Sequence, residues 1–456
     1  MEEAEHREPW LELEAMVERG DANQLDEYLH DLPPGEPARA LSHMDEERQA
    51  EVVGLLPEED AAALLTELPD AQAVGIFEHL APEQAAAIVS EVESNQQADL
   101  LGSLGTEQAE AILGRMVPEE AEDLRRLVQY APDTAGGLMV TEYLAYGQDL
   151  RVEDVLEDLT ENAAKYAGYD VQYAYVTSSD AQLVGVLRFR DLILSARQRR
   201  VGSIMIAEPA HVRHDMNLDE LHHTFDRYTL FGLPVTDETG RLIGVVRRAD
   251  VQKAVQQQAS ETLLKFAGIV GGEEFRSMSL RLRSARRLSW LSINILLNVL
   301  AASVIAYYQD TLAAVISLAV FLPIVSDMSG CSGNQAVAVS MRELVLGLIK
   351  PHEVLRVIWK EASVGVVNGA VLGMILGGVA FLWKGNPILG LVVGAALALN
   401  TVVAVCLGGA IPLLLRKLRQ DPALASGPIL TTITDMCGFF FVLSFARAAL
   451  PWLLGS

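Results

Sequence analysis

Five apolar runs, near residues 288–307, 312–341, 362–383, 387–415 and 425–448, are each long enough to cross a bilayer. Hydrocarbon offers no water to backbone N–H and C=O groups, so a spanning region folds as helices or a closed barrel, and runs of this length select helices. Residues 288–456 are therefore expected to form an α-helical bundle of five transmembrane helices. The second and fourth runs carry Pro323, Gly330 and Gly333, and Gly408, Gly409 and Pro412. Both are expected to be broken helices lining a cavity. Gly365, Gly369 and Gly373 recur four apart, with Gly377 and Gly378 behind them, a spacing that suits close helix packing and dimer contact.

Polar residues inside these runs point to chemistry. Asp435 sits well inside the fifth run, where a carboxylate costs roughly 2.5–3.5 kcal/mol on insertion scales and so faces an aqueous path or a partner. Thr431, Thr432 and Thr434 occupy the four positions before it, and oxygen ligands with a carboxylate are what hard divalent cations select. The competing reading is an acid satisfied by neighbouring helices for structural reasons. In the second run, Asp327-Met-Ser-Gly-Cys-Ser-Gly-Asn-Gln-Ala336 places Ser332, Asn334 and Gln335 as neutral oxygens, with glycines expected to free backbone carbonyls. Such a lining passes a hydrated ion without trapping it. Asp327 fits either a second cation site or a structural pairing. Mg²⁺ dehydrates reluctantly, so a pore for it would hold the hydration shell through one or two carboxylates. Asp435 suits that role, and a homodimer would present two copies on one axis.

The basic residues set orientation. Arg276, Arg281, Arg283, Arg286 and Arg287 precede the first run, Arg342, Lys350, Arg356 and Lys360 follow the second, and Arg416, Lys417 and Arg419 follow the fourth. Positive charge stays inside, which puts the N-terminus in the cytoplasm and the C-terminus outside a cytoplasmic (inner) membrane. The start, Met-Glu-Glu-Ala-Glu-His-Arg-Glu, has no basic region leading into an apolar run, so no cleaved signal peptide is expected.

Residues 1–130 hold 32 acidic residues against 7 arginines and no lysine, a net of −25 out of −26 for the whole chain. That excludes nucleic acid as a partner and suits cation binding or a charged, solvated surface. Pro57, Pro69, Pro82 and Pro118 each lead acids into a run of Ala and Leu, which predicts short helices, each burying one face on the next, in an α-helical solenoid. Cys331, Cys406 and Cys437 form no paired motif, so redox chemistry is not indicated.

Between these regions a β-turn-β-α unit occurs twice, as Tyr173–Val176 with Leu183–Leu187 and as Leu233–Val235 with Leu242–Val246, with Gly185 and Gly244 marking the 59-residue repeat. This α/β pattern resembles a tandem CBS-domain pair, a regulatory module that often binds adenosine nucleotides. Its motif end normally reads Gly-x-x-Thr/Ser-x-x-Asp; here Arg188 and Arg247 replace the hydroxyl residue while Asp191 and Asp250 remain. An arginine could meet a phosphate, but the replacement puts the ribose contact in doubt, and an adenine nucleotide stays an open expectation. His211, His214, His222 and His223 crowd the second copy without a convergent metal spacing.

Met328–Ala336, Asp421-Pro-Ala-Leu-Ala-Ser-Gly-Pro428 and Thr431-Thr-Ile-Thr-Asp435-Met-Cys-Gly438 together resemble the MgtE family of magnesium channels and transporters, as does the domain order. The domains read as 1–130 acidic helical superhelix, 131–199 first CBS copy, 200–258 second CBS copy, 259–287 connecting helix and 288–456 pore domain. The resemblance implies a homodimeric Mg²⁺ pore with Asp435 as its filter, Thr431 and Gly427 on the same path, and a cytoplasmic half that closes the pore at high Mg²⁺. It also implies regulatory cation ligands, here Asp250, Glu261 and Asp191. Ser329 and Cys331 depart from the family's Gly-Gly-Asn-x-Gly-Asn-Gln, and Gly427 stands where many members have Asn. Lys253 and Gln256–Gln258 replace acids that strongly sensing members carry before the membrane. The expectation is that Mg²⁺ gating is shifted to higher concentration or moved to the acidic N-terminal domain.

Rival functions fare less well. No intramembrane Arg or Lys supports an anion path, and no His-Glu-x-x-His motif supports an intramembrane protease, so an enzyme is not expected. Softer divalent ions (Co²⁺, Ni²⁺, Zn²⁺) gain some support from Cys331 and Cys437 beside the polar motifs. A CBS-regulated membrane sensor without transport would leave Asp435 without a purpose.

Overall fold

The computed structural model describes residues 8–169, 173–228, 230–269 and 274–454, with the backbone alone for 424–426. The leading segment weighed for a signal peptide therefore lies largely outside the described residues. The chain divides into two compact units, Met1–Ser260 with Glu273–Leu280, and Glu261–Gly272 with Arg281–Ser456.

The first unit begins with short helices whose N-caps fall at every twelfth residue: Asp45, Pro57, Pro69, Ala81, Glu93, Gly105 and Val117. The residue before each cap is apolar, and Met44, Leu68, Leu80, Val92, Leu104 and Met116 are all buried. A hydrophobic residue at that position pins the entry angle of the chain. Pro82 and Pro118 open their helices at the first turn, whereas Pro57 and Pro69 sit one place earlier, at the cap itself. Each helix packs mainly on the next but one, not on the next, because ten residues make too short a rod to fold straight back on its neighbour.

The α/β repeat follows. Leu144–Gly147 pairs parallel with Tyr173–Thr177, which pairs antiparallel with Leu183–Arg188, and Ile206–Ala207 extends that sheet. In the second copy Val212–Arg213 pairs parallel with Gly232–Thr236, itself antiparallel to Leu242–Arg247. Both copies slip register at the same place, after Val176 and after Val235. The repeat glycines have one reason in common: a Cβ on Gly185 would strike Met205, and one on Gly244 would strike Met139.

The second unit holds five helices long and apolar enough to cross a membrane among the described residues. The first, second, third, fourth and fifth spans run Leu280–Tyr307, Leu322–Val345, Val354–Lys384, Pro387–Lys417 and Pro422–Ala448. The basic residues placed ahead of the first span from Arg281 on are its opening turns, so the expected connecting helix 259–287 contains the end of one helix, Arg248–Phe266, and the start of another. The fourth span is the core, with 61% of its apolar window buried against 6% for the first.

Two expectations about glycine are corrected. The second and fourth spans are not broken at Gly330, Gly333, Gly408, Gly409 or Pro412; both helices run through them, and the irregular turn lies earlier, at Ile316–Val320. Gly333 and Gly408 instead remove bulk where helices cross: a Cβ on Gly408 would run into the Gly333 carbonyl, and one on Gly333 would lie 3.0 Å from the Ala404 carbonyl, whereas Gly330 has open space there. The third-span stripe packs within its own chain and is not left free for a dimer. Cβ atoms on Gly369 and Gly373 would meet the Ala398 and Gly394 carbonyls at 2.5 Å, and one on Gly377 the Gly390 carbonyl at 2.8 Å. Lipid supplies no hydrophobic drive between helices, so this backbone-to-backbone approach is what joins them.

Gly373→Ala should therefore destabilise the membrane unit by about 1–3 kcal/mol, because the obstructing atom is backbone. Gly378→Ala, with nothing within 4 Å, should leave it unchanged. Thermal unfolding of the detergent-solubilised protein, followed by retention of monodispersity, separates the two.

Candidate functional site

The helical pitch puts Thr431, Asp435 and Phe439 on one face of the fifth span and Asp327, Gly330, Cys331 and Asn334 on one face of the second. These faces, with Ser326 and Pro323, border a groove of about 590 Å³. The two spans face each other because both pack on the fourth span's small residues.

Within the groove, the Ser326 hydroxyl donates to Asp435 Oδ1. That contact orients the carboxylate and leaves its second oxygen uncommitted by the serine. Asp435 is half-buried, Asp327 exposed. The Thr431 hydroxyl donates to the Gly427 carbonyl at 2.9 Å, four residues back, so its lone pairs stay available towards the groove. This is an oxygen-lined cleft with two carboxylates, suited to a hydrated divalent cation.

Not every residue singled out in the sequence reaches it. Thr434 is fully buried, donates to the Thr431 carbonyl and points away. Ser332 is buried and donates to the Met328 carbonyl, and Gln335 is exposed but does not line the groove. Gly427 lies one turn before Thr431, with open space where its Cβ would be. The unbroken second span keeps its carbonyls in helical bonding, so they are not freed as ligands. Two residues were missed. Ser326 carried no signal beyond its place beside Asp327. Asn400 did: it is a lone amide in the apolar fourth run, fully buried, and donates to the Thr434 carbonyl at 3.0 Å. Gly438 makes room for it.

Comparisons with known proteins agree with this layout. The family model for MgtE, a divalent cation transporter, matches residues 322–445, the MgtE intracellular N domain matches 32–133, and a CBS domain matches 201–257. The magnesium transporter MgtE of Thermus thermophilus is 34% identical over 332 residues, 72% of each chain. That of Bacillus subtilis is 32% identical over 322 residues, 71% of each chain. The chain belongs to the MgtE family. A solved cytosolic domain of the Mg²⁺ channel MgtE, in complex with ATP, is 30% identical, with a TM-score of 0.49 over 54% of this chain and 99% of that one.

As an MgtE member the protein is a multi-pass membrane protein that transports Mg²⁺, and it is not an enzyme. Softer divalent ions as principal cargo, and a sensor without transport, are not favoured. The expected fold class, a helical N-terminal domain, an α/β CBS pair and a five-helix membrane bundle, is what the chain adopts.

Each of the three acids proposed as regulatory ligands already holds a base. Asp191 takes Arg188 Nε at 2.6 Å, Asp250 takes Arg247 Nε at 2.6 Å, and Glu261 has Lys265 Nζ at 3.5 Å. Lys265 also reaches Asp421, the N-cap of the fifth span, at 3.6 Å. The histidine cluster does not converge: His211 faces the Pro209 carbonyl, His214 packs on Tyr130 and His222 pairs with Asp226. Among the described residues, the metal-capable group whose ligand atoms do come together is Asp26, His30 and Asp60, on the N-terminal helices.

A second cavity in the first unit is lined by Asp70, Asp99, Asp250, Lys253 and Gln257. Burial, with Asp70 close by, pushes the Asp99 carboxyl up to about 7, and Lys253 opposes the rise. The folded-state value lies above the unfolded one of 3.8, so the stability this group contributes is full below pH 3.8 and lost as pH rises towards about 7. Asp99→Asn, uncharged and of the same shape, should raise the melting temperature of the first unit at pH 8 and flatten its fall between pH 4 and 7. An identical pH profile in mutant and parent would contradict this assignment.

Proposed function

We propose that Mg²⁺ passes along the groove between the second and fifth spans, with Asp435 as the residue that selects it. What supports this reading is the pairing of Asp435 with Ser326 in a cleft that also holds Asp327, Asn334 and Thr431. A hydrated Mg²⁺ binds through its water shell to one or two carboxylates. The exposed side of the groove suits a homodimer in which a second Asp435 completes the ring of oxygens. The distribution of arginine and lysine supports a cytoplasmic N-terminus and a C-terminus outside. Asp327 is then a second, outer carboxylate of the same path, and Gly427 an open position one turn before Thr431.

An adenine nucleotide is proposed in the cleft of about 220 Å³ between the CBS copies, where Tyr173, Tyr175 and Phe231 offer faces for a base. Its phosphates would have to compete for Arg247 with Glu93 and Asp250, and for Arg248 with the Leu230 and Tyr228 carbonyls. Weak binding is therefore expected, and regulatory Mg²⁺ binding at Asp250, Glu261 or Asp191 would face the same competition from bases.

Mg²⁺ uptake into vesicles carrying the purified protein tests the path. Asp435→Asn should abolish uptake or its preference for Mg²⁺, while Thr434→Val, buried behind the groove, should stay within about twofold of the parent. Equal uptake in Asp435→Asn and parent would move the site elsewhere.

A further inference from the structure

We propose that Arg247 is a tethered cation standing in for a bridging divalent ion between the acidic N-terminal domain and the second CBS copy, so that this joint closes whether or not Mg²⁺ is present. Arg247 Nη1 and Nη2 each lie 2.6 Å from a Glu93 oxygen, while Nε and Nη2 lie 2.6 and 3.0 Å from the Asp250 oxygens. One guanidinium thus grips two carboxylates that are 157 positions apart in the chain, both bidentately. Glu93 is the N-cap residue of the N-terminal-domain helix Ser94–Ser103, and Asp250 opens the helix Arg248–Phe266. The Arg247 and Asp250 side chains are only 17% and 14% exposed, so water does little to screen that pair, while Glu93 is 35% exposed.

The repeat supplies an internal comparison. Arg188 and Asp191 are the equivalent pair of the first copy and make the same 2.6 Å contact, but Arg188 is 44% exposed and, among the described residues, reaches no N-terminal-domain carboxylate. The pairing of arginine with its own copy's aspartate is common to both. Capture of Glu93 is particular to the second. Further along the same helix, Lys253 and Gln257 meet Asp70 of the N-terminal domain at 4.0 and 3.0 Å. Carboxylates converging from two domains need a cation between them, and their oxygens would suit a divalent ion if the guanidinium were gone. With it in place that position is filled. This joint is then not where the protein senses Mg²⁺.

The inference rests on the reading that the cytosolic portion responds to Mg²⁺, and it is tested without any flux measurement. Amide hydrogen exchange is followed on the full-length protein in detergent, in chelator and in millimolar Mg²⁺, over peptides covering 93–104 and 245–255. In the parent these peptides should exchange equally slowly in both conditions. Arg247→Met should exchange roughly tenfold faster or more in chelator, since it leaves the half-buried Glu93 and Asp250 carboxylates facing each other without a cation, and Mg²⁺ should restore protection. Arg247→Met combined with Glu93→Gln should lose the response to Mg²⁺ while remaining folded elsewhere. The proposal is overturned if Mg²⁺ protects the parent as strongly as Arg247→Met, or if Arg247→Met keeps full protection in chelator.

Discussion

Backbone-to-backbone contact at glycine is the constraint on which the membrane unit depends. In lipid, apolar side chains gain nothing by leaving their surroundings for one another, so helices join where small residues let their main chains meet. The fourth span provides that surface twice, through Gly390, Gly394 and Ala398 to the third span and through Ala404 and Gly408 to the second. The fifth span packs on it too, with Asn400 bonded to the Thr434 carbonyl beside a glycine at 438. The register set by these contacts leaves Ser326 opposite Asp435. A carboxylate in this setting needs an oriented donor, and the packing supplies one.

The acids of the N-terminal domain follow a different rule. The N-terminal domain carries nearly all of the chain's net charge, yet two of its carboxylates, Glu93 and Asp70, meet bases of the second CBS copy. A fixed guanidinium and a mobile divalent ion solve the same electrostatic problem, but only the mobile one reports concentration. If Arg247 and Lys253 fill the place of a regulatory ion, as proposed, the weaker Mg²⁺ sensing expected from Lys253 and Gln256–Gln258 follows.

Much of this was legible in the sequence, and the exceptions share a cause. Five apolar runs, an acidic helical region and a 59-residue repeat each rest on local pattern, and local pattern survives folding. What the sequence does not carry is the direction a side chain takes about a helix axis relative to partners not yet placed. Thr434 and Thr431 look alike in a string, but three residues' turn of the helix leaves one fully buried and the other exposed on the groove. Glycine is ambiguous for the same reason: Gly333 permits a break, but it also permits a close crossing, and only Gly408 opposite decides which. Glu93 and Arg247 are too far apart in the chain for any spacing rule to join them.

If ions travel the groove bordered by Asp435 and Asp327, as proposed, Cys331 lies beside their path and offers a direct probe of it. Cys331 is an exposed thiol on that groove, while Cys406 and Cys437 are half-buried away from it. A charged, water-soluble thiol reagent should stop Mg²⁺ uptake by the parent protein in vesicles and leave Cys331→Ser unaffected. Unchanged uptake with Cys331 fully modified, as judged by mass spectrometry, would contradict the account and place the path on another face of the bundle.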